Sequence, residues 1–162
     1  MPRVRRLISQ EAAMHVMCRG NNRQLIFKDA SDKKRYRSLI YDFKAENDIS
    51  IYHYCLMDNH VHLLAVPQSK DSLSKGIGST NLIYTQYLNR KHGSSGRIWQ
   101  NRFFSCIVQN DFHLWAVAVY IENNPVKGGM VEEAPNYKWS SAKAHFHGDA
   151  DENLGRQWLA DS

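Results

Sequence analysis

Apolar and polar positions along this chain follow two periods, one of strands and one of helices. Residues 12–19, AAMHVMCR, form a short apolar run that stops at the turn-forming Gly20-Asn21-Asn22, which predicts a strand. Tyr36, Leu39, Ile40 and Phe43 recur at three- and four-residue steps. They predict an amphipathic helix from a cap at Ser31 or Asp32 to about Asn47. Two further apolar runs, 50–57 and 60–66, are joined by the polar turn pair Asp58-Asn59 and predict two strands. A second helix fits about 72–91, with Leu73, Ile77, Tyr84, Tyr87 and Leu88 on one side and Gly76 and Gly78 weakening its first turns. HGSSGR at 92–97 has the composition of a flexible linker. FFSCIVQ at 103–109 predicts a fourth strand. Asp111 would cap a third helix, which Pro125 should end near Asn124. The remainder, from Ser140 on, is polar and acidic and predicts a loosely packed tail or a short helix.

The first six elements follow the split βαβ order of ferredoxin-like folds. The expected class is therefore α+β, a four-stranded antiparallel sheet with helices on one face. The other face of such a sheet is open and often serves single-stranded nucleic acid. No internal repeat is visible, and the 162 residues predict one domain, 1–146, followed by a polar acidic tail, 147–162.

Charge sharpens this picture. Residues 1–110 carry 17 Lys and Arg against 8 Asp and Glu, whereas 111–162 carry 4 against 8, so the basic excess sits in the first two thirds. That distribution points to a polyanion partner there. No apolar run approaches the roughly 18 residues of a membrane span, and the basic start lacks the apolar stretch of a signal peptide. Cys18, Cys55 and Cys106 are widely spaced, without a C-x-x-C pair, and are expected to be reduced core thiols of a cytosolic protein.

The chemistry centres on His60-Val61-His62. Alternate strand residues share a face, so the two imidazoles lie side by side and can hold one metal ion. His145-Phe146-His147 has the same spacing but lies in the polar tail and is expected to be exposed and without function. His15, His53, His92 and His113 are single and expected to be structural. A two-histidine site needs a third ligand. Asn124 offers a carbonyl oxygen, and Tyr120, four residues earlier on the same predicted helix, offers a hydroxyl that could attack phosphorus. An unperturbed phenol ionises near pKa ~10, so it needs a metal or base to act at neutral pH. By pattern alone, Tyr84 and Tyr87 are equal candidates for the nucleophile.

HVMCRGNNRQLIF at 15–27, YCLMDNHVHLL at 54–64, GRIWQNRFFS at 96–105, YIENNPVKGGMV at 120–131 and WSSAKAH at 139–145 occur in this order over most of the chain. Together they resemble the REP-associated tyrosine transposases, within the single-tyrosine HUH transposase superfamily. The resemblance implies an HUH endonuclease fold and a metal-dependent single-stranded DNA endonuclease and strand transferase. Such an enzyme cuts near hairpins through a 5′-phosphotyrosine. It implies Tyr120 as nucleophile and His60, His62 and Asn124 as ligands of Mg²⁺ or Mn²⁺. Val119 stands where that family often has a basic residue. The expected partner is single-stranded or hairpin DNA, met in the cytoplasm at the nucleoid, and both monomer and homodimer remain open. DNA contacts are expected from the arm Arg3, Arg5 and Arg6, from Arg19 and Arg23, and from Arg90, Lys91, Arg97 and Arg102 with Trp99 interleaved. Two readings compete with it: a non-catalytic module of the same fold that binds single-stranded DNA or RNA, and a metal-dependent phosphodiesterase that uses water.

Overall fold

The computed structural model describes residues 12–151, 153 and 154. The arm carrying Arg3, Arg5 and Arg6 lies outside the described residues. Four strands, β1 (Met14–Arg19), β2 (Ile49–Leu56), β3 (His60–Pro67) and β4 (Phe104–Ile107), form one sheet in the order β2-β3-β1-β4. All neighbours are antiparallel. Among the described residues four α-helices accompany them: α1 (Ala30–Glu46), α2 (Ser72–His92), α3 (Asp111–Lys127) and α4 (Ala142–His147). The α+β class, the four-stranded antiparallel sheet and the element order are those expected from the sequence. No helix among the described residues is long and apolar enough to cross a membrane.

Strand alternation divides the sheet's residues between two layers. Met14, Val16 and Cys18 of β1 stand opposite Ala65, Leu63 and Val61 of β3, and all six are buried. This face packs on α1 and α2: the Cys18 thiol lies between Tyr36 of α1 and Asn81 of α2. Tyr36, Tyr84, Trp99 and Phe27 pack ring against ring there. Tyr36 donates to Asn81 Oδ1 at 2.7 Å, and Tyr84 donates to the Ile26 carbonyl, so both buried phenols are satisfied. Gly76 lets α2 approach the sheet, because a Cβ there would stand 2.4 Å from Ile49 Cδ1. The helices-on-one-face expectation describes α1 and α2. The seventh element, α3, lies on the opposite face, so β3 is covered on both sides and is buried almost throughout.

Several boundaries differ from the sequence reading, each for a local reason. Asp29, not Ser31 or Asp32, caps α1, its side chain accepting from the Asp32 N–H at 3.0 Å. Asp32 instead reaches back to the Lys28 N–H at 2.9 Å, a reciprocal arrangement like a capping box. Asn110, not Asp111, caps α3 through the His113 N–H. The helix also runs through Pro125 to Lys127. A proline so near the end removes one ladder bond, and the Asn124 and Pro125 carbonyls are taken by Gly128 and Met130 N–H groups. Cys18 and Cys55 are core thiols as expected, but Cys106 is exposed because β4 is an edge strand.

The chain after α3 closes the opposite edge of the sheet. Leu56 N–H donates to the Trp139 carbonyl at 2.8 Å, Ser141 N–H to the Tyr54 carbonyl at 3.0 Å, and Tyr54 N–H to Ser141 Oγ at 2.9 Å. Residues 139–141 thus cover the outer edge of β2 at its last residues, 54–56, and α4 follows directly.

Asp32 is fully buried and also accepts from Tyr87 at 3.0 Å and from Lys91 at 2.8 Å, tying α1 to α2. Burial pushes its carboxyl up, but the bonds from Lys91, Lys28 and Tyr87 outweigh that and hold it below the usual range. Asp32→Asn should therefore cost about 2–3 kcal/mol in urea unfolding at neutral pH. A carboxyl depressed in the folded state stabilises above its unfolded pKa and loses that contribution as pH falls through the folded one. The gap between wild type and Asp32→Asn should accordingly narrow below about pH 4.

Candidate active site

On the α3 side of the sheet, β3 presents His60 and His62, with Met17 of β1 opposite His62 and Arg19 opposite His60. The two imidazoles meet edge to face with centroids 4.9 Å apart. His62 is buried, at 2% exposure, and His60 is half-buried. His60 Nδ1 lies 2.6 Å from Asn59 Oδ1 and donates its N–H to it, so in the neutral ring Nε2 carries the lone pair. That Nε2 is 3.4 Å from Asn124 Oδ1. On α3, Asn124 Nδ2 donates to the Tyr120 carbonyl at 3.1 Å, which turns its oxygen toward His60.

Tyr120 is 46% exposed, and its ring stands edge-on to His62 at 5.4 Å and to His15 at 6.0 Å. The i, i+4 spacing thus places Tyr120 and Asn124 beside the histidine pair. The other two tyrosines are engaged elsewhere: Tyr84 is buried against Ile26, and Tyr87 is bonded to Asp32. Of the three, Tyr120 is the one that stands beside the histidine pair.

His15 is a member of this site that the sequence reading missed. Its Nε2 lies 3.0 Å from His62 Nδ1, with the rings stacked at 5.2 Å. Its only sequence signal was an interruption in an apolar strand. The β1–β3 register, which seats His15 opposite Leu64 and so diagonal to His62, is a long-range fact. With His15 Nε2 accepting the Nδ1 proton of His62, His62 keeps Nε2 as a lone pair. Burial pushes His62 down to about 3, helped by His60, His15 and Arg19; burial also lowers His60 and His15. The three rings are therefore neutral at pH 7, the form in which imidazole binds a metal. Two neutral imidazoles and an amide oxygen, converging next to an exposed phenol, fit a divalent cation with open positions.

The basic residues divide. Arg19 ends β1, and Arg23 and Arg97 lie on two loops laced together by backbone bonds from Asn21 to Ile98 and from Gln100 to Arg19, both 2.8 Å. Arg102 and Arg90 are exposed, Arg90 near the end of α2. Lys91 is taken up by Asp29 and Asp32. Trp99 goes into the core at 8% exposure, donating to the Asn81 carbonyl, so its faces pack on Tyr36 and Tyr84 instead of on a base.

The tail histidine expected to be exposed is not. His145 lies in α4 against Glu122 Oε1 at 2.5 Å, and His53 Nδ1 is 2.7 Å from the same oxygen. Burial pushes the Glu122 carboxyl up, but the bonds from His145 and His53 outweigh it and bring the group down to about 2.

Comparison with known proteins places this arrangement. The family model described as "Transposase IS200 like" matches residues 9–124, a span that holds His15, both paired histidines, Tyr120 and Asn124. The chain is similar to a protein of Haemophilus influenzae that carries the name of a REP-associated tyrosine transposase, 31% identical over 105 residues. That match covers 59% of this chain and 57% of the relative's length. A solved structure described as a REP-associated tyrosine transposase bound to a REP hairpin superimposes with a TM-score of 0.71 at 19% identity. It covers 96% of this chain and 92% of that one, a likeness of fold.

Proposed function

We propose, from the premise that this chain belongs to the IS200-like transposase family, that it cuts and rejoins single-stranded DNA beside a hairpin with Tyr120 as nucleophile. The observation that carries this reading is the meeting of an exposed Tyr120 with the buried His62 ring, while Asn124, one helical turn on, reaches His60. The relative bound to a REP hairpin supports hairpin DNA as the class of substrate.

His60, His62 and Asn124 would hold the divalent metal of the family. When bound, the cation would polarise the scissile phosphate and offset charge in the transition state. Imidazole donors favour Mn²⁺ over Mg²⁺, which prefers oxygen ligands. The chain's own residues supply the rest. Tyr120 Oη attacks phosphorus in line, the P–O3′ bond breaks, and the phenol's proton passes through solvent to the departing oxygen, so the strand leaves with a 3′-hydroxyl. The 5′-phosphotyrosine keeps the energy of the ester, so a second 3′-hydroxyl can attack it without a nucleotide cofactor. Asn59 and His15 orient the two metal-binding imidazoles through their Nδ1 atoms.

Arg19, Arg23, Arg97 and Arg102, joined by Arg90, form the phosphate-binding set in this reading, with Lys91 and Trp99 set aside. Arg19 also answers for the missing basic residue before the tyrosine. It stands opposite His60, close enough to bias both histidines, whereas Val119 contributes no charge.

Labelled hairpin strands with single-stranded flanks, incubated with Mn²⁺ and run on denaturing gels, test the reaction. Wild type should give a label that migrates with the protein. Tyr120→Phe should lose about 10³-fold or more in cleavage and form no adduct, while its hairpin affinity stays within about 3-fold. Cleavage that persists in Tyr120→Phe would mean a water-using hydrolase, and intact DNA with active, bound wild type would mean a binding module.

Asn59→Ala should weaken Mn²⁺ binding about 10- to 100-fold in calorimetric titration without unfolding the chain, because the outer hydrogen bond that fixes His60 is lost. Unchanged affinity would remove His60 Nε2 from the ligand set.

A further inference from the structure

Helix α3 carries chemistry on two sides. Tyr120 and Asn124 turn toward the histidine pair, while Glu122, between them in sequence, turns to β2 and α4. Its Oε1 is reached by His53 Nδ1 at 2.7 Å, His145 Nδ1 at 2.5 Å and Ser141 Oγ at 2.7 Å. The donor atoms of His53, Glu122 and His145 all lie within 4.8 Å of one another, and the two imidazole centroids are 4.3 Å apart. None of these side chains takes part in the proposed cleavage.

We propose that His53, Glu122 and His145 form a second metal site, of the zinc class, distinct in its ligands from the His60–His62 site. Two imidazoles and one carboxylate are a donor set that Zn²⁺ accepts at ordinary tetrahedral geometry, with Ser141 Oγ or a water as the fourth donor. Mg²⁺ and Ca²⁺ are poor occupants, because two of the three ligands are nitrogen. The ligands come from β2, α3 and α4, three elements far apart in sequence, so one ion would fasten the C-terminal helix and the nucleophile-bearing helix to the sheet. His53 and Glu122 are 4% and 7% exposed, which suits a structural ion that does not exchange substrate. The His145 side chain, 13% exposed, gives the ion a way in.

The inference stands apart from the cleavage reading, and its test leaves the first site out. Untagged full-length His60→Ala/His62→Ala protein is stripped with a chelator and titrated with Zn²⁺ against a chromophoric competitor, with circular dichroism to follow the fold. It should retain one zinc equivalent with a Kd below about 1 µM. Adding His145→Phe, which keeps a ring on α4 but removes the donor, should weaken that Kd by about 100-fold or more with the spectrum unchanged. His145→Gln, a second route to the same loss, covers the case in which the phenylalanine disturbs packing. Co²⁺ in place of zinc should give a tetrahedral visible band that vanishes in the same variants. If the double variant binds no zinc tighter than about 100 µM, or if neither His145 substitution weakens binding, the proposal fails and the trio is a hydrogen-bonded hub.

Discussion

Strand β3 lies between two antiparallel partners, and its register with β1 pairs Met17 with His62 and Arg19 with His60. His15, His60 and His62 take their direction from that pairing. Val61, Leu63 and Ala65 must enter the α1–α2 layer, which forces His60, His62 and Leu64 to the other side. A slip by one residue would turn the imidazoles toward Tyr36 and Tyr84 and send Val61, Leu63 and Ala65 to the α3 side. The apolar core therefore enforces the placement of the histidine pair, at the expense of the mobility that a loop-borne pair would have.

Helix α3 repeats this logic at a different period. Residues 120 and 124 share a face, and 122 does not. A single helix can thus hold the phenol and amide over His60 and His62 while Glu122 fixes its rotation against His53 and His145. Those anchor bonds reach β2 and α4, so the placement of Tyr120 is tied in part to His145, which lies beyond the span matched by the family model.

Most of the architecture was legible because its signals are local. The four strands, the first two helices and the His60–His62 pair all announce themselves within a few residues, through alternation, three-to-four periodicity and turn chemistry. What escaped depends on distant partners. His15 looked like any interruption in an apolar strand until the sheet register brought it to His62. His145 looked exposed because its segment is polar, yet Glu122 draws it in. Trp99 followed a basic linker and read as a stacking surface, but the backbone bonds between the 20–24 and 97–100 loops turn it into the core. Cap positions slipped by one to three residues because several Asp, Asn and Ser side chains compete for the same N–H groups. Which of the tyrosines stands beside the histidine pair was not readable from spacing either, because it depends on how α3 and α2 lie on the sheet.

The strap of residues 139–141 has a consequence for how copies of this protein could meet. Sheets grow sideways by adding strands to unpaired edges, and a protein with two such edges can continue without limit. Here the end of the β2 edge, at residues 54–56, is taken by the chain's own Trp139 and Ser141 backbone, and among the described residues β4 is the side on which another sheet has most room to add. Two molecules joined by β4 would each present outward an edge already capped at residues 54–56. Association of that kind obeys a twofold axis and favours a pair over a fibre.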